Sequence, residues 1–304
     1  MTRLGGDVRI PEIETKVLLS KHTSVKVGGP ADLFTVVKNS AELEQAVRRA
    51  LSEGWRYLIL GSGSNVVVGD GGYRGFVIKN ISRGLRVLGE KDGGVEIELE
   101  SGTFLPTAAK KLAGQGLAGL EWGVGIPGTA GGAVVGNAGA YGGVTDETLT
   151  EIDGLDPRGE VVTVANEDLR FEYRSSSIKR GELQLPVVLR VRHRLRREEP
   201  DAINARIQNF LGERKRKQPV EPSVGSTFKN PPGTHAGILI ESLGLKGTRI
   251  GGAMVSPKHA NYIINTGDAS ASDVRALVDR VREVVWERAR VRLETEIEFK
   301  GEWL

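Results

Sequence analysis

The chain contains no cysteine. That absence removes disulfides, cysteine-ligated zinc and thiol nucleophiles together. Histidine is scarce. His22, His193, His235 and His259 are the only four, and no two stand at i, i+4, which excludes a His-Glu-x-x-His metal site. Long apolar runs are missing as well: none reaches the length of a membrane span. The opening MTRLGGDVRIPEIE lacks the apolar core of a secretion signal. We therefore expect a cytoplasmic protein with no metal and no membrane partner. Charge of one sign is also lacking. Lys and Arg number 42 against 39 Asp and Glu, a net +3 over 304 residues, which gives little ground for a nucleic-acid partner.

Glycine, by contrast, is abundant. The 41 Gly cluster at 61–75, 114–143 and 244–252 within an otherwise ordinary globular composition. Glycine serves where backbone takes positive φ or lies close to a ligand, so three clusters point to a large ligand held by main chain. At roughly 150 residues per domain the length makes two domains or three.

Apolar spacing predicts a helix over 41–53, capped by Ser40 and stopped by Gly54. Strands are expected at 57–60, 66–68 and 76–79, flanking Gly61-Ser62-Gly63-Ser64-Asn65. Residues 81–198 read mainly as strands, with one helix near 106–113. Residues 95–99 alternate with Glu96, Glu98 and Glu100, as a half-exposed strand would, and residues 187–195 carry a stripe of Arg190, Arg192, Arg194 and Arg196. Amphipathic helices are predicted over 201–217 and 273–290, the second capped by Ser272, with a shorter one near 235–243. An alternating strand over 293–299 closes the pattern.

Gly123-Val-Gly125-Ile-Pro-Gly128 matches a dinucleotide fingerprint in letters, but no apolar strand precedes it. The Gly-rich stretch from Thr129 to Gly143 would make a poor helix. We read it as an extended loop whose N–H groups line a pyrophosphate. Either Gly loop alone reads more simply as a tight turn. Together, with Ser62, Ser64, Asn65, Thr129 and Asn137 as donors, they favour a dinucleotide. Ser226, in Val-Gly-Ser-Thr-Phe-Lys-Asn-Pro, has no nucleophile elbow, and a turn serine is its ordinary reading. Beside Lys229 and Asn230 it is alternatively a proton donor to a carbanion. Glu294, Glu296 and Glu298 share one strand face, and solvation accounts for at least two of them. The runs Arg190–Arg197 and Arg214–Lys217 read as solvated faces, with phosphate contact as the functional alternative.

Co-linear segments then identify a family. They are His22-Thr-Ser-Val-Lys-Val-Gly-Gly-Pro-Ala31, Leu60-Gly-Ser-Gly-Ser-Asn-Val66, Gly125-Ile-Pro-Gly-Thr-Ala-Gly-Gly-Ala-Val134 and Asn137-Ala-Gly-Ala-Tyr-Gly142. They continue through Tyr173-Arg-Ser-Ser-Ser177, Gly225-Ser-Thr-Phe-Lys-Asn-Pro231, Lys246-Gly-x-x-Ile-Gly-Gly-Ala253, His259-Ala-Asn-Tyr-Ile-Ile-Asn265 and Leu293-Glu-Thr-Glu-Ile297. Over essentially its whole length the chain resembles the UDP-N-acetylenolpyruvoylglucosamine reductase (MurB) family, in its short type without an extra tyrosine loop.

The resemblance implies an α+β protein: a two-part FAD-binding fold of the vanillyl-alcohol oxidase/PCMH type plus a C-terminal α/β substrate-binding domain. The parts are expected at 1–80, 81–215 and 216–304. It implies non-covalent FAD, NADPH as co-substrate, UDP-N-acetylglucosamine enolpyruvate as substrate, a role in peptidoglycan synthesis, and a monomer. Residue by residue, it implies Ser226 as proton donor, Arg174 as stabiliser of the enolate charge and Glu296 as the catalytic carboxylate. Tyr173, Lys217, Asn230 and His259 would meet substrate. Gly61, Ser62, Gly63, Ser64, Asn65, Gly125, Ile126, Gly128, Thr129, Gly132 and Asn137 would hold the flavin. Gly136 stands where relatives often carry Met, and Ile178 where they carry Phe. With the tyrosine loop absent, the basic residues between Arg190 and Lys217 are the candidates to clamp the diphosphate. Two readings compete with it: a related FAD oxidase, and a basic nucleic-acid-binding protein that leaves the Gly loops unexplained.

Overall fold

The computed structural model describes residues 11–303. They form two compact units, each assembled from separate stretches of chain. The first takes residues up to Thr15, Leu33–Gly61 and Gly75–Ile207; the second takes Lys16–Asp32, Ser62–Arg74 and the chain from Gln208 onward.

The first unit is built on a six-stranded sheet. Its path runs Val161–Ala165, Leu149–Leu155, Val187–Arg197, Gly94–Glu100, Leu85–Lys91, and Leu117–Ala118 pairs with the end of the central strand. Gly94–Glu100 was expected to be half exposed, yet six of its seven residues are buried. The arginine stripe of the neighbouring strand explains the difference. Arg192 binds Glu98 at 3.0 Å, Glu151 at 2.6 Å and Asp153 at 2.7 Å. Arg86 also reaches Glu98, and Lys91 reaches Glu96. Arg190 and Arg194 pair with Asp153 and Asp92. Burial works against the Asp153 charge, but hydrogen bonds from Arg192 and Thr163 outweigh it and hold the carboxyl below its ordinary range. The stripe is thus a cross-strand ion-pair ladder rather than a free basic face. Val95, Ile97, Leu99, Ile152, Val191 and Leu195 point the other way, into a core with Leu105, Leu112 and Trp122.

Two local expectations shift. Helix Ser40–Ser52 is capped by Asn39, whose side chain accepts from the Glu42 amide at 2.9 Å. Ser40 instead gives its amide and hydroxyl to Glu100. A six-residue helix, Ala130–Val135, forms where glycine predicted none. A Cβ on Gly131 would stand 2.7 Å from that of Ser101, and the Gly131 amide bonds the Ser101 carbonyl. Close tertiary packing here outweighs low helix propensity.

The second unit carries an antiparallel sheet in the order Ser223–Ser226, Tyr262–Asn265, Ala253–Val255, Arg249–Ile250. Helix Ala271–Ala289 buries Val274, Leu277, Val278, Val281, Val284 and Val285 in the unit's core. Each contributes about 1.5–3 kcal/mol of apolar burial. Its cap is Ser270, which forms a capping box with Asp273. Ser272, the expected cap, gives its amide and hydroxyl to Asp70. The predicted strand over 293–299 is regular only at Glu298–Lys300, which pairs in parallel with Val66–Val68.

Candidate active site

Ser226 ends the strand Ser223–Ser226, opposite Tyr262 and beyond a register irregularity at which Gly225 takes φ +75°. The chain after it is held on both edges. On one edge the Thr227 amide donates to the Asn261 carbonyl at 2.8 Å. On the other, Thr227 accepts from the Glu296 amide at 2.9 Å and the Lys229 amide donates to Glu294 at 2.9 Å, with Phe228 bridging Thr295. This short antiparallel pairing places Ser226 and Glu296 in one backbone network. Asn65 extends it. Its side chain donates to the Glu296 carbonyl at 3.1 Å, and its own carbonyl accepts from Glu298 at 2.9 Å.

The glutamate trio therefore divides. Glu294 is exposed, 3.4 Å from Lys229, and Glu298 faces Lys300 at 2.8 Å. Lys217 pairs with Glu213 at the end of its helix. The Asn230 side-chain Oδ1 accepts from the Ala236 amide at 3.1 Å, at the start of helix Ala236–Ser242. Nδ1 of His259 accepts from the Asn261 amide at 3.2 Å, and the ring tilts against Tyr262. Burial, then the charges of Lys246 and Lys217, push the His259 pKa down. The neutral ring with an accepting Nδ1 carries its proton on Nε2, ready to donate.

In the first unit, Glu172 and Ser175 close a tight turn with reciprocal backbone bonds of 3.1 Å. Arg174 within it has φ +55°, a left-handed conformation that costs a non-glycine residue about 1–3 kcal/mol. Its guanidinium donates to the carbonyls of Gly139 at 2.6 Å and Asn137 at 3.4 Å, and lies 5.2 Å over the exposed ring of Tyr173. Asn137, expected at the flavin, uses its carboxamide on this turn. It donates to Glu172 and accepts from Asp146. Asn137 and Tyr141 are left-handed too, at φ +42° and +53°.

The Gly loops fit a phosphate-bearing cofactor. In the first unit a Cβ on Gly61 would stand 2.5 Å from the Thr129 hydroxyl, and one on Gly125 would stand 2.5 Å from the Tyr141 ring. A side chain at either position would have to displace Thr129 or Tyr141. The 123–128 loop follows Glu121, which is tied to Arg206 at 2.6 Å. Among the described residues, the amides of Thr129 and Gly132 have no protein acceptor. In the second unit the same holds for the amides of Ser62, Gly63 and Ser64. A Cβ on Gly63, at φ +68°, would lie 2.3 Å from the His22 carbonyl oxygen. Runs of uncommitted N–H groups suit a pyrophosphate, and in the first unit the Lys79 ammonium donates to the Gly61 carbonyl at 2.5 Å. Ile126 is half-buried, and the Gly128 amide bonds Ile126 itself, so these two shape the loop.

Sequence reasoning missed Asn261, which holds the chain after Ser226. Its signals were its place in the His259–Asn265 segment that carries the resemblance and its position immediately before the apolar strand Tyr262–Asn265.

Residues 31–165 match the family model of an FAD binding domain. Residues 217–300 match that of the UDP-N-acetylenolpyruvoylglucosamine reductase C-terminal domain. The whole chain is 42% identical to the UDP-N-acetylenolpyruvoylglucosamine reductase of Moorella thermoacetica, covering 99% of that protein. It is 44% identical to that of Rubrobacter xylanophilus, over 93% of this chain and 94% of the relative. The crystal structure of the Thermus caldophilus reductase (MurB) superposes with a TM-score of 0.79 at 37% identity, over 95% of this chain and 99% of the other. The fold is an FAD binding domain followed by the reductase family's C-terminal domain, in a mixed α and β protein.

Proposed function

Because the chain belongs to the UDP-N-acetylenolpyruvoylglucosamine reductase family of FAD-dependent oxidoreductases, we propose that it reduces UDP-N-acetylglucosamine enolpyruvate to UDP-N-acetylmuramate with NADPH, a step of peptidoglycan synthesis. FAD, when bound, would supply the chemistry of hydride transfer from NADPH to the terminal vinyl carbon. The Gly61–Asn65 and Gly125–Gly132 loops would hold it through main-chain N–H groups. We keep 1–80, 81–215 and 216–304 as the functional division, with the last part binding substrate.

Ser226 gives its hydroxyl proton to the carbon that bears the carboxylate. The vinyl group thereby gains one hydride and one proton and becomes the lactyl ether. Arg174 offsets the negative charge that builds on the carboxylate-bearing carbon as hydride arrives. A guanidinium already oriented by the Gly139 and Asn137 carbonyls needs little reorganisation to do so. Glu296 hydrogen-bonds the enol or relays the proton. Tyr173, Lys217, Asn230 and His259 position the nucleotide sugar. The observation that carries this reading is the backbone pairing that sets the chain after Ser226 beside Glu296.

The test is anaerobic. Flavin absorbance should bleach with NADPH and return with the enolpyruvyl sugar. In Ser226→Ala, bleaching should persist while the return slows by about 10²–10⁴-fold. Equal loss in both halves defeats the proton-donor role.

A further inference from the structure

We propose that Asn261 is a positioning residue for proton delivery from Ser226, an inference that rests on the reading above. Asn261 is 4% exposed. Its carbonyl accepts from the Thr227 amide at 2.8 Å, its Oδ1 accepts from the Phe228 amide at 3.0 Å, and its Nδ2 donates to the Phe228 carbonyl at 2.8 Å. The carboxamide thus satisfies both main-chain groups of Phe228 on the edge away from Thr295. Thr227 and Phe228 are themselves buried, so no solvent replaces these bonds.

Ser226 leads directly into this clamped pair, and the Glu296 amide hangs on the Thr227 carbonyl. One side chain therefore sets the register of both the donor and the carboxylate. Through its own amide it also orients the ring of His259. Asn261 does not touch substrate in this assignment; it acts through its neighbours. Misplacement of a reacting group by about 1 Å is worth about 10²-fold in rate. Flavin reduction by NADPH needs neither Ser226 nor Glu296 and should be insensitive to the change.

The experiment compares Asn261→Ala, Asn261→Asp and Ser226→Ala as FAD-loaded proteins. Three quantities are read: the rate of bleaching by NADPH, the rate of return with UDP-N-acetylglucosamine enolpyruvate, and the solvent deuterium isotope effect on that return. For Asn261→Ala we expect the return to slow by about 10- to 100-fold, with bleaching within about twofold and a larger isotope effect. Asn261→Asp keeps the volume and the acceptor for the Phe228 amide but loses the donor, so its loss should be about 3- to 10-fold. If the alanine variant does not fold, the aspartate variant decides. An unchanged return, or equal loss in both half-reactions, overturns the positioning role. Selective slowing in Ser226→Ala alone sinks this inference and leaves the donor intact. Unselective slowing in Ser226→Ala brings down the donor assignment and this inference with it.

Discussion

Glu96, Glu98 and Glu100 in the first unit and Glu294, Glu296 and Glu298 in the second repeat one spacing, i, i+2, i+4. Alternation alone reads both as half-exposed strands. The first trio lies inside a sheet between two strands, where Arg86, Lys91 and Arg192 answer its charges and Glu100 receives Ser40 and Gly84. The second lies on a segment with one bridge and a three-residue ladder, so each carboxylate meets different company. The lesson is that spacing fixes which side chains share a face, while neighbouring strands decide whether that face is knitted into ion pairs or split among separate surroundings.

Four changes would break or sharpen this contrast. The largest effect is expected for Glu296→Gln. Return of flavin absorbance with the enolpyruvyl sugar should fall by about 10²–10⁴-fold, while bleaching by NADPH persists. Arg192→Leu tests the first trio. It removes the shared central partner of Glu98 and Asp153, which are buried and keep only Arg86 and Arg190, and should cost about 3–5 kcal/mol by urea denaturation. Third, His193 sits on the arginine strand but turns to the opposite face, buried, with Nδ1 3.0 Å from Thr148 Oγ1. Burial pushes its pKa from 6.5 down to about 4. The unfolded chain binds this proton more readily than the folded one, so stability is full above pH 6.5 and falls as pH drops toward 4. The loss is about 3 kcal/mol. His193→Gln should remove that slope from a pH series of urea midpoints. The smallest effect belongs to Glu294→Gln, an exposed partner of Lys229. Stability should move by less than about 0.5 kcal/mol and both half-reactions should stay at wild-type rates.

Helix Ala271–Ala289 was legible because six apolar residues recur at helical spacing, and Tyr57–Leu60 because it is a short apolar run before glycine. The caps were misplaced by one or two residues. Ser40 and Ser272 have the right chemistry, but distant carboxylates, Glu100 and Asp70, recruit them, and local sequence is silent on that. The buried state of Gly94–Glu100 depends on an arginine strand about a hundred positions away. Within the site, the Gly loops and the Ser226 segment stood out as composition and motif. The clamp by Asn261 and the tie from Asn65 to Glu296 did not, because an asparagine's partners are set by tertiary pairing.

The parallel pairing of Glu298–Lys300 with Val66–Val68 has a consequence for synthesis. Asn65 and Glu296 are 231 positions apart. At about 5–20 residues per second, a ribosome needs on the order of ten to fifty seconds to make the second after the first. Through that interval the edge at Val66–Val68 waits without the strand that completes it. The second unit therefore matures at the pace of translation, and an interrupted nascent chain carries the Gly61–Asn65 loop but not Glu296.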